Sequence, residues 1–433
     1  MAHSLYGFIG IGLLLLLILF GLPVGFSFIL TSFAGLLYLT GLTGTLHAIG
    51  STAYQWASDY TFAAVPLFIL MGHFAHNSGI SSDLYEAGHK WVGRVRGGLA
   101  MATVGACGGF AALSGSSLAT AAAMGNVSLP EMRRLGYSRS LATGTVAAGG
   151  TIGILIPPSI PLIIYGILTA ESISKLFMAG ILPGILEAVI YCSVIYITCT
   201  LNPQAGPPAQ SSPMREKWRS LLMVWPMLVI FLMIMGGIYL GIATPTEAAS
   251  IGALGSFLYI LLKRRLTKEN LVTTIIETGV TATMMITILI GAMCFSIFLS
   301  ITGIPMLAAD WITSLEVNRY MVLGIVLFIY IPLGCVMDSL AMIVLTIPLF
   351  FPTLEALGFS PVLLGILAVK SIEIGQITPP VGINVFIIRG IAKDVPIGEI
   401  FKGVIPFFIS DVFNLAMLVV FPQISLLIPN LMR

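Results

Sequence analysis

Residues 97–128 read GGLAMATVGACGGFAALSGSSLATAAAMGNVS, a stretch without one charged side chain. Basic clusters flank it, with Arg96 just before its start and Arg133 just after its end. Its centre, Leu113–Ser117, is a polar turn between two apolar arms, each shorter than the roughly 20 residues that a membrane span requires. We therefore expect a re-entrant hairpin that enters and leaves on one side, so that both basic clusters lie in the cytoplasm.

The composition identifies a membrane protein. Of 433 residues, 57% are hydrophobic and 9% are charged, whereas about 25% of a soluble domain is charged. So few charges cannot cover a water-facing surface, which excludes a cytosolic enzyme, a secreted domain, a nucleic-acid binder and a disordered chain. The length allows on the order of ten to twelve crossings. All five cysteines lie in apolar stretches without a Cys-x-x-Cys pair, which indicates helix packing rather than a disulfide framework or a metal site.

Segment 321–352 has the same pattern, with two apolar arms around Pro332–Asp338. If this second hairpin enters from the opposite side, 16 of the 20 lysines and arginines lie in the cytoplasm, as the positive-inside rule requires. These residues are Lys90, Arg94, Arg96, Arg133, Arg134, Arg139, Arg215, Lys217, Arg219, Lys263, Arg264, Arg265, Lys268, Arg389, Lys393 and Lys402. Straight crossings would scatter them over both sides. The same topology predicts that both termini are periplasmic.

The sequence contains an internal repeat at an offset of about 222 residues. Leu135–Ser138 (LGYS) recurs as Leu357–Ser360 (LGFS), and Gly153–Pro158 (GILIPP) recurs as Gly375–Pro380 (GQITPP). Because the two hairpins enter from opposite sides, the two copies are inverted. Inverted repeats with paired broken helices are typical of secondary transporters. We predict an all-α polytopic membrane protein with two re-entrant hairpins and two helices interrupted at Pro-Pro.

This organisation divides the chain into four parts. They are N-terminal scaffold helices over 1–60, repeat 1 over 61–201, a cytoplasmic loop and connecting scaffold helices over 202–272, and repeat 2 over 273–433. Repeat 1 contains the hairpin 97–128 and a broken helix over 138–169. Repeat 2 contains the hairpin 321–352 and a broken helix over 361–388.

Each Pro-Pro pair removes backbone donors and interrupts its helix, which frees carbonyl groups. Unwound carbonyls with hydroxyl and amide oxygens form a hard oxygen cage that suits Na⁺. We expect each hairpin tip to meet the break of its own repeat, which gives two cation sites. The side chains nearby are Ser114, Ser116, Ser117, Thr120, Thr151 and Ser159 in repeat 1, and Asp338, Ser339, Thr378 and Asn384 in repeat 2. The alternative is that Pro-Pro is a simple kink and the hydroxyls bond to their own helices.

Ionisable groups at membrane depth are costly and indicate function. Lys370 and Glu373 lie one turn apart and form either a neutral structural pair or, through Lys370, a site that attracts an anionic substrate. Asp338 is either a cation ligand or the cap of the next half-helix. Glu187 and Asp411 lie within other spans.

We interpret His73 and His76, three residues apart, as helix-packing residues. With no room for a nucleotide-hydrolysing domain, transport depends on an ion gradient or another subunit.

Three segments resemble the large membrane subunit (DctM type) of tripartite ATP-independent periplasmic (TRAP) transporters. They are the tip LSGSSLAT at 113–120, the break GTIGILIPPS at 150–159 and its partner EIGQITPPVGIN at 373–384. The resemblance implies an elevator-type, Na⁺-coupled importer of the ion-transporter superfamily in a bacterial inner membrane, with Na⁺ as coupling ion and no other cofactor. It also implies a small four-helix membrane subunit and a periplasmic binding protein that delivers an organic acid. Because the first span begins close to Met1, we expect the small subunit to be a separate chain.

The resemblance also assigns site residues. The first Na⁺ site would comprise Ser114, Gly115, Ser116, Ser117, Thr151, Gly153 and Pro157. The second Na⁺ site would comprise Gly334, Asp338, Thr378, Pro379, Gly382 and Asn384. We assign Thr120, Ser159 and Lys370 to substrate binding, although Lys370 matches no motif of the family.

Two other classes of protein are considered. A stand-alone Na⁺-dicarboxylate carrier of the same superfamily would need no binding protein, but the Ser-Asn-Thr tripeptide usual at its hairpin tips is missing from this sequence. An intramembrane enzyme would need paired catalytic groups at membrane depth, and only Asp338 and Asp411 are available, without a supporting motif. The identity of the organic acid (C4-dicarboxylate, sialic or another sugar acid, or a sulfonate) cannot be read from the sequence.

Overall fold

A computed structural model describes residues 2–210, 212–304, 306–307 and 318–432, and its regular structure over these ranges is helical. In the first half the α-helices are α1 (Ala2–Leu19), α2 (Val24–Ala57), α3 (Ala64–Ser78), α4 (Ile80–Val92), α5 (Gly98–Ser114), α6 (Ser117–Arg134), α7 (Arg139–Thr151), α8 (Ile160–Thr169) and α9 (Ile173–Leu201). In the second half they are α10 (Met214–Tyr239), α11 (Pro245–Leu262), α12 (Lys268–Thr302), α13 (Arg319–Val336), α14 (Ser339–Ala356), α15 (Pro361–Ile377), α16 (Ile383–Ile391), α17 (Ile397–Val420) and α18 (Gln423–Leu431).

Eight of these helices are long and apolar enough to cross a membrane, judged by length and composition. Many large apolar side chains are exposed along them, among them Leu222 and Phe328, which suits a surface in contact with lipid. The prediction of an all-α polytopic membrane protein is confirmed. The sides on which the termini and the hairpin arms lie stay predictions, since each arm of the second hairpin has 18 residues and is itself long enough to span.

The turn of the first hairpin forms where the sequence predicts it, although α6 continues to Arg134, beyond the predicted end at residue 128. Helices α5 and α6 are separated by Gly115, which has a φ of +59°, and by Ser116, whose hydroxyl caps α6 by accepting from the Ala119 amide. Glycine tolerates a positive φ at little cost, and a serine cap satisfies a free amide at the start of a helix. The two adjacent residues therefore end one arm and begin the next.

The turn of the second hairpin is shorter than predicted. We expected a turn over Pro332–Asp338, but α13 continues to Val336 and includes Pro332. Only Met337 and Asp338 separate it from α14, and the Asp338 carboxylate caps α14. A proline is tolerated inside such a helix because neighbouring groups can satisfy the freed carbonyl, so Pro332 alone does not end α13.

Both broken helices are interrupted at their Pro-Pro pairs. Helix α7 ends at Thr151, continues as a 3₁₀ turn over Ile152–Ile154, and α8 begins after Pro157-Pro158. Helix α15 ends at Ile377, and α16 begins at Ile383 after the second pair. The first break is almost entirely buried, whereas Pro379 and Pro380 of the second are exposed.

The two repeats pack directly against each other through α7 and α17. A Cβ atom on Gly144 would lie 2.3 Å from the Gly403 carbonyl oxygen, and a Cβ on Gly403 would lie 1.8 Å from the Ser140 carbonyl oxygen. Small residues at such a crossing allow two backbones to approach closely, as is common between membrane helices. This contact holds the first broken helix against a helix of repeat 2.

Candidate functional site

The tip of the first hairpin lies against the break of its own repeat. A Cβ on Gly115 would be 2.5 Å from the Pro158 carbonyl oxygen, so only glycine permits this approach. The Ile160 amide donates to the Gly115 carbonyl at 3.4 Å. From the other side, a Cβ on Gly153 would lie 2.7 Å from the Ser116 carbonyl oxygen. The structure thus brings tip residues and break residues into backbone contact.

The hydroxyl groups around this contact differ in their bonding. Thr120 donates to the Ser116 carbonyl at 2.8 Å, and its Oγ1 lies 2.9 Å from Ser114 Oγ. Thr151 donates to the Ala148 carbonyl at 2.6 Å. Ser117 Oγ is buried and has no hydrogen-bond partner among the described residues. Of these hydroxyl oxygens, that of Ser117 is the one left without a partner, and such a group calls for a ligand or a water molecule.

The tip of the second hairpin also meets the break of its own repeat. A Cβ on Gly334 would lie 2.8 Å from Gly375 Cα, so α13 and α15 cross in backbone contact. The Gly382 amide donates to the Cys335 carbonyl at 3.2 Å. Asp338 is half-buried and accepts from the Ala341 amide at 3.4 Å, so it makes the capping interaction that the sequence offered as one alternative.

Two polar side chains at the second break form hydrogen bonds with backbone carbonyls outside this tip. Thr378 donates to the Ile374 carbonyl of its own helix at 2.5 Å. Asn384 is fully buried, and its amide donates to the Ala147 carbonyl of α7 at 3.2 Å, while its Oδ1 has no hydrogen-bond partner in the described part of the chain. Asn384 therefore joins the second break to repeat 1.

A buried charged cluster lies between the two repeats. Lys370 Nζ is 2.8 Å from Glu187 Oε2, 3.0 Å from Glu373 Oε2 and 2.8 Å from Asp411 Oδ1. The Tyr191 hydroxyl is 2.8 Å from both Asp411 carboxylate oxygens. All five side chains are fully buried. We call Lys370, Glu187, Glu373, Asp411 and Tyr191 the core charge cluster.

The structure shows the Lys370–Glu373 ion pair that the sequence suggests, with two further carboxylates that the sequence did not connect to it. The residues assigned to the substrate, Thr120, Ser159 and Lys370, are each fully buried. The Ser159 hydroxyl donates to the Ile154 carbonyl. Their assignment to the substrate stays a prediction.

A cavity of about 400 Å³ opens beside the first hairpin tip. Ser114, Ser116 and Ala119 of the hairpin form one wall. Helices α3 and α12 form the other wall, which contains His73, His76, Glu277, Thr281 and Met285. His73 Nδ1 lies 3.4 Å from a carboxylate oxygen of Glu277. The sequence suggests that the two histidines are packing residues, whereas in the structure both line this cavity.

The comparisons with known proteins agree with the sequence resemblance. The family described as "Tripartite ATP-independent periplasmic transporter, DctM component" matches residues 11–424. The C4-dicarboxylate TRAP transporter large permease protein DctM of Pseudomonas aeruginosa is 36% identical over 393 residues, which cover 89% of this chain and 90% of that protein. The sialic acid TRAP transporter large permease protein SiaM of Vibrio cholerae is 32% identical over 432 residues, which cover 100% and 99%.

A solved structure has a similar fold. The Alcanivorax borkumensis YdaH transporter superposes with a TM-score of 0.62 at 15% identity, and the match covers 91% of this chain and 89% of that one. The relatives are named as transporter permeases, which agrees with the prediction that the chain is not an enzyme. A family match over nearly all of the sequence, with relatives above 30% identity, decides the assignment. The chain is a multi-pass membrane protein and belongs to the DctM component family of tripartite ATP-independent periplasmic transporters.

Proposed function

We propose that this chain is the membrane-spanning transport subunit of a Na⁺-coupled importer of an organic acid anion. The observation that carries the proposal is the contact between each hairpin tip and the break of its own repeat. At the first contact, the Pro158 carbonyl oxygen lies against Gly115 of the tip and the Ser116 carbonyl oxygen lies against Gly153 of the break, and the buried Ser117 oxygen has no partner among the described residues. Oxygen ligands of this kind, near unwound helix, suit Na⁺.

The second contact supports a second Na⁺ site. The Asn384 Oδ1 atom is buried without a partner, and the Gly382 backbone lies against the tip through its bond to Cys335. Asp338 supplies a nearby carboxylate whose capping bond to the Ala341 amide leaves oxygen lone pairs available for a cation. One Na⁺ in each repeat matches the internal repeat of the sequence.

The proposed substrate is a carboxylate anion held in the cavity beside the first tip. The N-terminus of α6 borders this cavity through Ser116, and the positive end of a helix dipole favours an anion. His73 and His76 add possible donors on the facing wall. The two relatives compared above are named for C4-dicarboxylate and sialic acid, both of which carry carboxylates.

Membership of the family supports three further proposals. The chain works in the inner membrane of a bacterium, it pairs with a small membrane subunit, and a periplasmic binding protein delivers its substrate. We propose that the hairpins and broken helices move together as an elevator against neighbouring helices that include α2, α3 and α12. The cavity lies between the first hairpin and two of these helices, α3 and α12, which supports relative movement at this boundary.

The test is uptake into proteoliposomes that contain the chain with its small subunit, supplied with the binding protein and labelled C4-dicarboxylate or sialic acid. We expect uptake to require an inward Na⁺ gradient and to fail when K⁺ replaces Na⁺. The Ser117→Ala variant should need a Na⁺ concentration about tenfold higher for half-maximal uptake, a change of about 1.4 kcal/mol. Ser193→Ala, which removes an exposed hydroxyl on α9, is the control. Uptake that proceeds equally well in K⁺ would contradict the proposal.

A further inference from the structure

We propose that the core charge cluster binds a proton, shared by the carboxyl groups of Glu187 and Glu373, which exchanges with bulk water. The cluster contains three carboxylates and a single ammonium group, and every member is fully buried. If all four groups were ionised, two negative charges would be left uncompensated in a low-dielectric interior, which is strongly unfavourable. A proton on one carboxyl group removes one of these charges.

Hydrogen bonding selects the Glu187–Glu373 pair. All three carboxylates contact the same nitrogen, Lys370 Nζ. The contacts of Glu187 and Glu373 are 2.8 and 3.0 Å, so their two contacting oxygens can be at most about 5.8 Å apart. Two carboxylates this close favour a form in which one is protonated. Asp411 is the better stabilised anion, because it accepts from Tyr191 as well as from Lys370.

Buried polar atoms without a hydrogen-bond partner support the proposal independently. Glu187 Oε1 and Glu373 Oε1 have no hydrogen-bond partner in the described ranges, and a carboxyl proton would turn either oxygen into a donor. Gln376 lies one turn after Glu373 on α15, and Asn414 lies one turn after Asp411 on α17. Both amide groups are at most 1% exposed and wholly unpartnered within the described ranges. Such groups beside buried carboxyls fit bridging water molecules through which a proton could reach bulk water.

The titratable surroundings come from several helices. Within the cluster, α9 contributes Glu187 and Tyr191, α15 contributes Lys370 and Glu373, and α17 contributes Asp411. Helix α7 contributes a neutral neighbour, Thr151, whose hydroxyl oxygen lies 3.5 Å from the Tyr191 hydroxyl. Four other titratable groups on helices packed against α15 bond elsewhere. Tyr165 of α8 donates to the Pro361 carbonyl, and Tyr330 of α13 bonds to Thr346. Cys335 of α13 bonds to the carbonyls of Ile331 and Pro379. Arg389 of α16 bonds to the carbonyls of Ala392 and Lys393. Within the described residues, no second cation balances the three carboxylates of the cluster.

The test is infrared difference spectroscopy on the full chain with its small subunit in lipid nanodiscs. Neither Na⁺ nor substrate is needed, so this result stands apart from the transport assay above. We expect the wild type to show the C=O stretch of a protonated carboxyl at neutral pH. The band should disappear at alkaline pH and shift when the sample is transferred to D₂O. Absence of the band, or a band that neither titrates nor shifts, would overturn the proposal without any variant.

Variants at Glu187 and Glu373 test whether the infrared band of the protonated carboxyl comes from these two residues. Glu373→Gln and Glu187→Gln each remove one of the two like charges, so the remaining carboxylate pairs with Lys370 and should lose its proton at neutral pH. We expect complete loss of the neutral-pH band in each variant. Glu355→Gln, at an exposed glutamate near the end of α14, should leave the band unchanged. A band that persists in both cluster variants would overturn the assignment.

Discussion

The Asp411 carboxylate lies 2.8 Å from the Lys370 ammonium group, and both side chains are completely buried. Asp411 is on α17 and Lys370 on α15, while the second partner of Lys370, Glu187, comes from α9 of the other repeat. One cation therefore ties three helices and both repeats together. Removing one member of a buried ionic network is far more costly than removing an exposed charge.

Replacement of this cation should destabilise the protein strongly. We expect Lys370→Met to lower the free energy of unfolding by about 3–5 kcal/mol, because three carboxylates lose their common partner. The loss should be smaller at acidic pH, since protonated carboxyls are neutral, and larger as the pH rises. Thermal unfolding of the purified protein at several pH values measures this. Lys402→Gln, at an exposed lysine on α17, is the control; an equal effect in both variants would count against the network.

The first hairpin tip should not tolerate a side chain at Gly115. Alanine there costs about 1–2 kcal/mol for its left-handed backbone, and its Cβ would also meet the Pro158 carbonyl oxygen at 2.5 Å. We expect Gly115→Ala to raise the Na⁺ concentration for half-maximal uptake by about tenfold or more. The matched control is Gly105→Ala in the same hairpin arm, where a Cβ has nothing within 4 Å. Identical Na⁺ dependence of the two variants would contradict the tip–break contact.

The close crossing of α7 and α17 should contribute to the free energy of unfolding. A Cβ on Gly403 would lie 1.8 Å from a backbone oxygen of Ser140, which cannot move without displacing α7. Gly403→Ala should lower the free energy of unfolding by about 1–3 kcal/mol, the usual cost of overpacking. Gly398→Ala, on the same helix with open space around its Cβ, should be neutral or slightly stabilising. Thermal unfolding distinguishes the two, and an unchanged melting temperature for Gly403→Ala would be the contrary result.

The cavity beside the first tip can be probed through His73. Its imidazole is partly exposed and pairs with Glu277 at 3.4 Å on the cavity wall. If it donates to the organic anion, His73→Ala should raise the KM for uptake about two- to tenfold, the value of one hydrogen bond. His47→Ala, at an exposed histidine on α2, should leave the KM unchanged. An unaltered KM in His73→Ala would remove His73 from the substrate site.

Local sequence features predicted the interruptions well. Gly115 and Ser116 form the first turn, and the two Pro-Pro pairs break α7 and α15, because glycine, a capping serine and proline each act on the backbone at their own position. The predicted second turn, Pro332–Asp338, is too wide, because the helix accommodates Pro332 and continues to Val336.

The core charge cluster shows what local features cannot supply. The sequence marks Glu187, Lys370, Glu373 and Asp411 as costly ionisable groups, but 183 positions separate Glu187 from Lys370. Their contact depends on how α9, α15 and α17 cross, which no spacing along the chain encodes. The pairing of His73 with Glu277 could not be predicted for the same reason, because Glu277 belongs to another helix.

Direct measurement of Na⁺ binding to the purified chain with its small subunit, by isothermal titration calorimetry, tests the central claim of two tip–break cation sites. We expect two Na⁺ ions per wild-type chain, with one of the two bound about tenfold more weakly in each of Ser117→Ala and Asn384→Ala, and both bound more weakly in the double variant. Ser193→Ala should retain both. If Ser117→Ala and Asn384→Ala both bind Na⁺ with the stoichiometry and affinity of the wild type, the two proposed cation sites are contradicted.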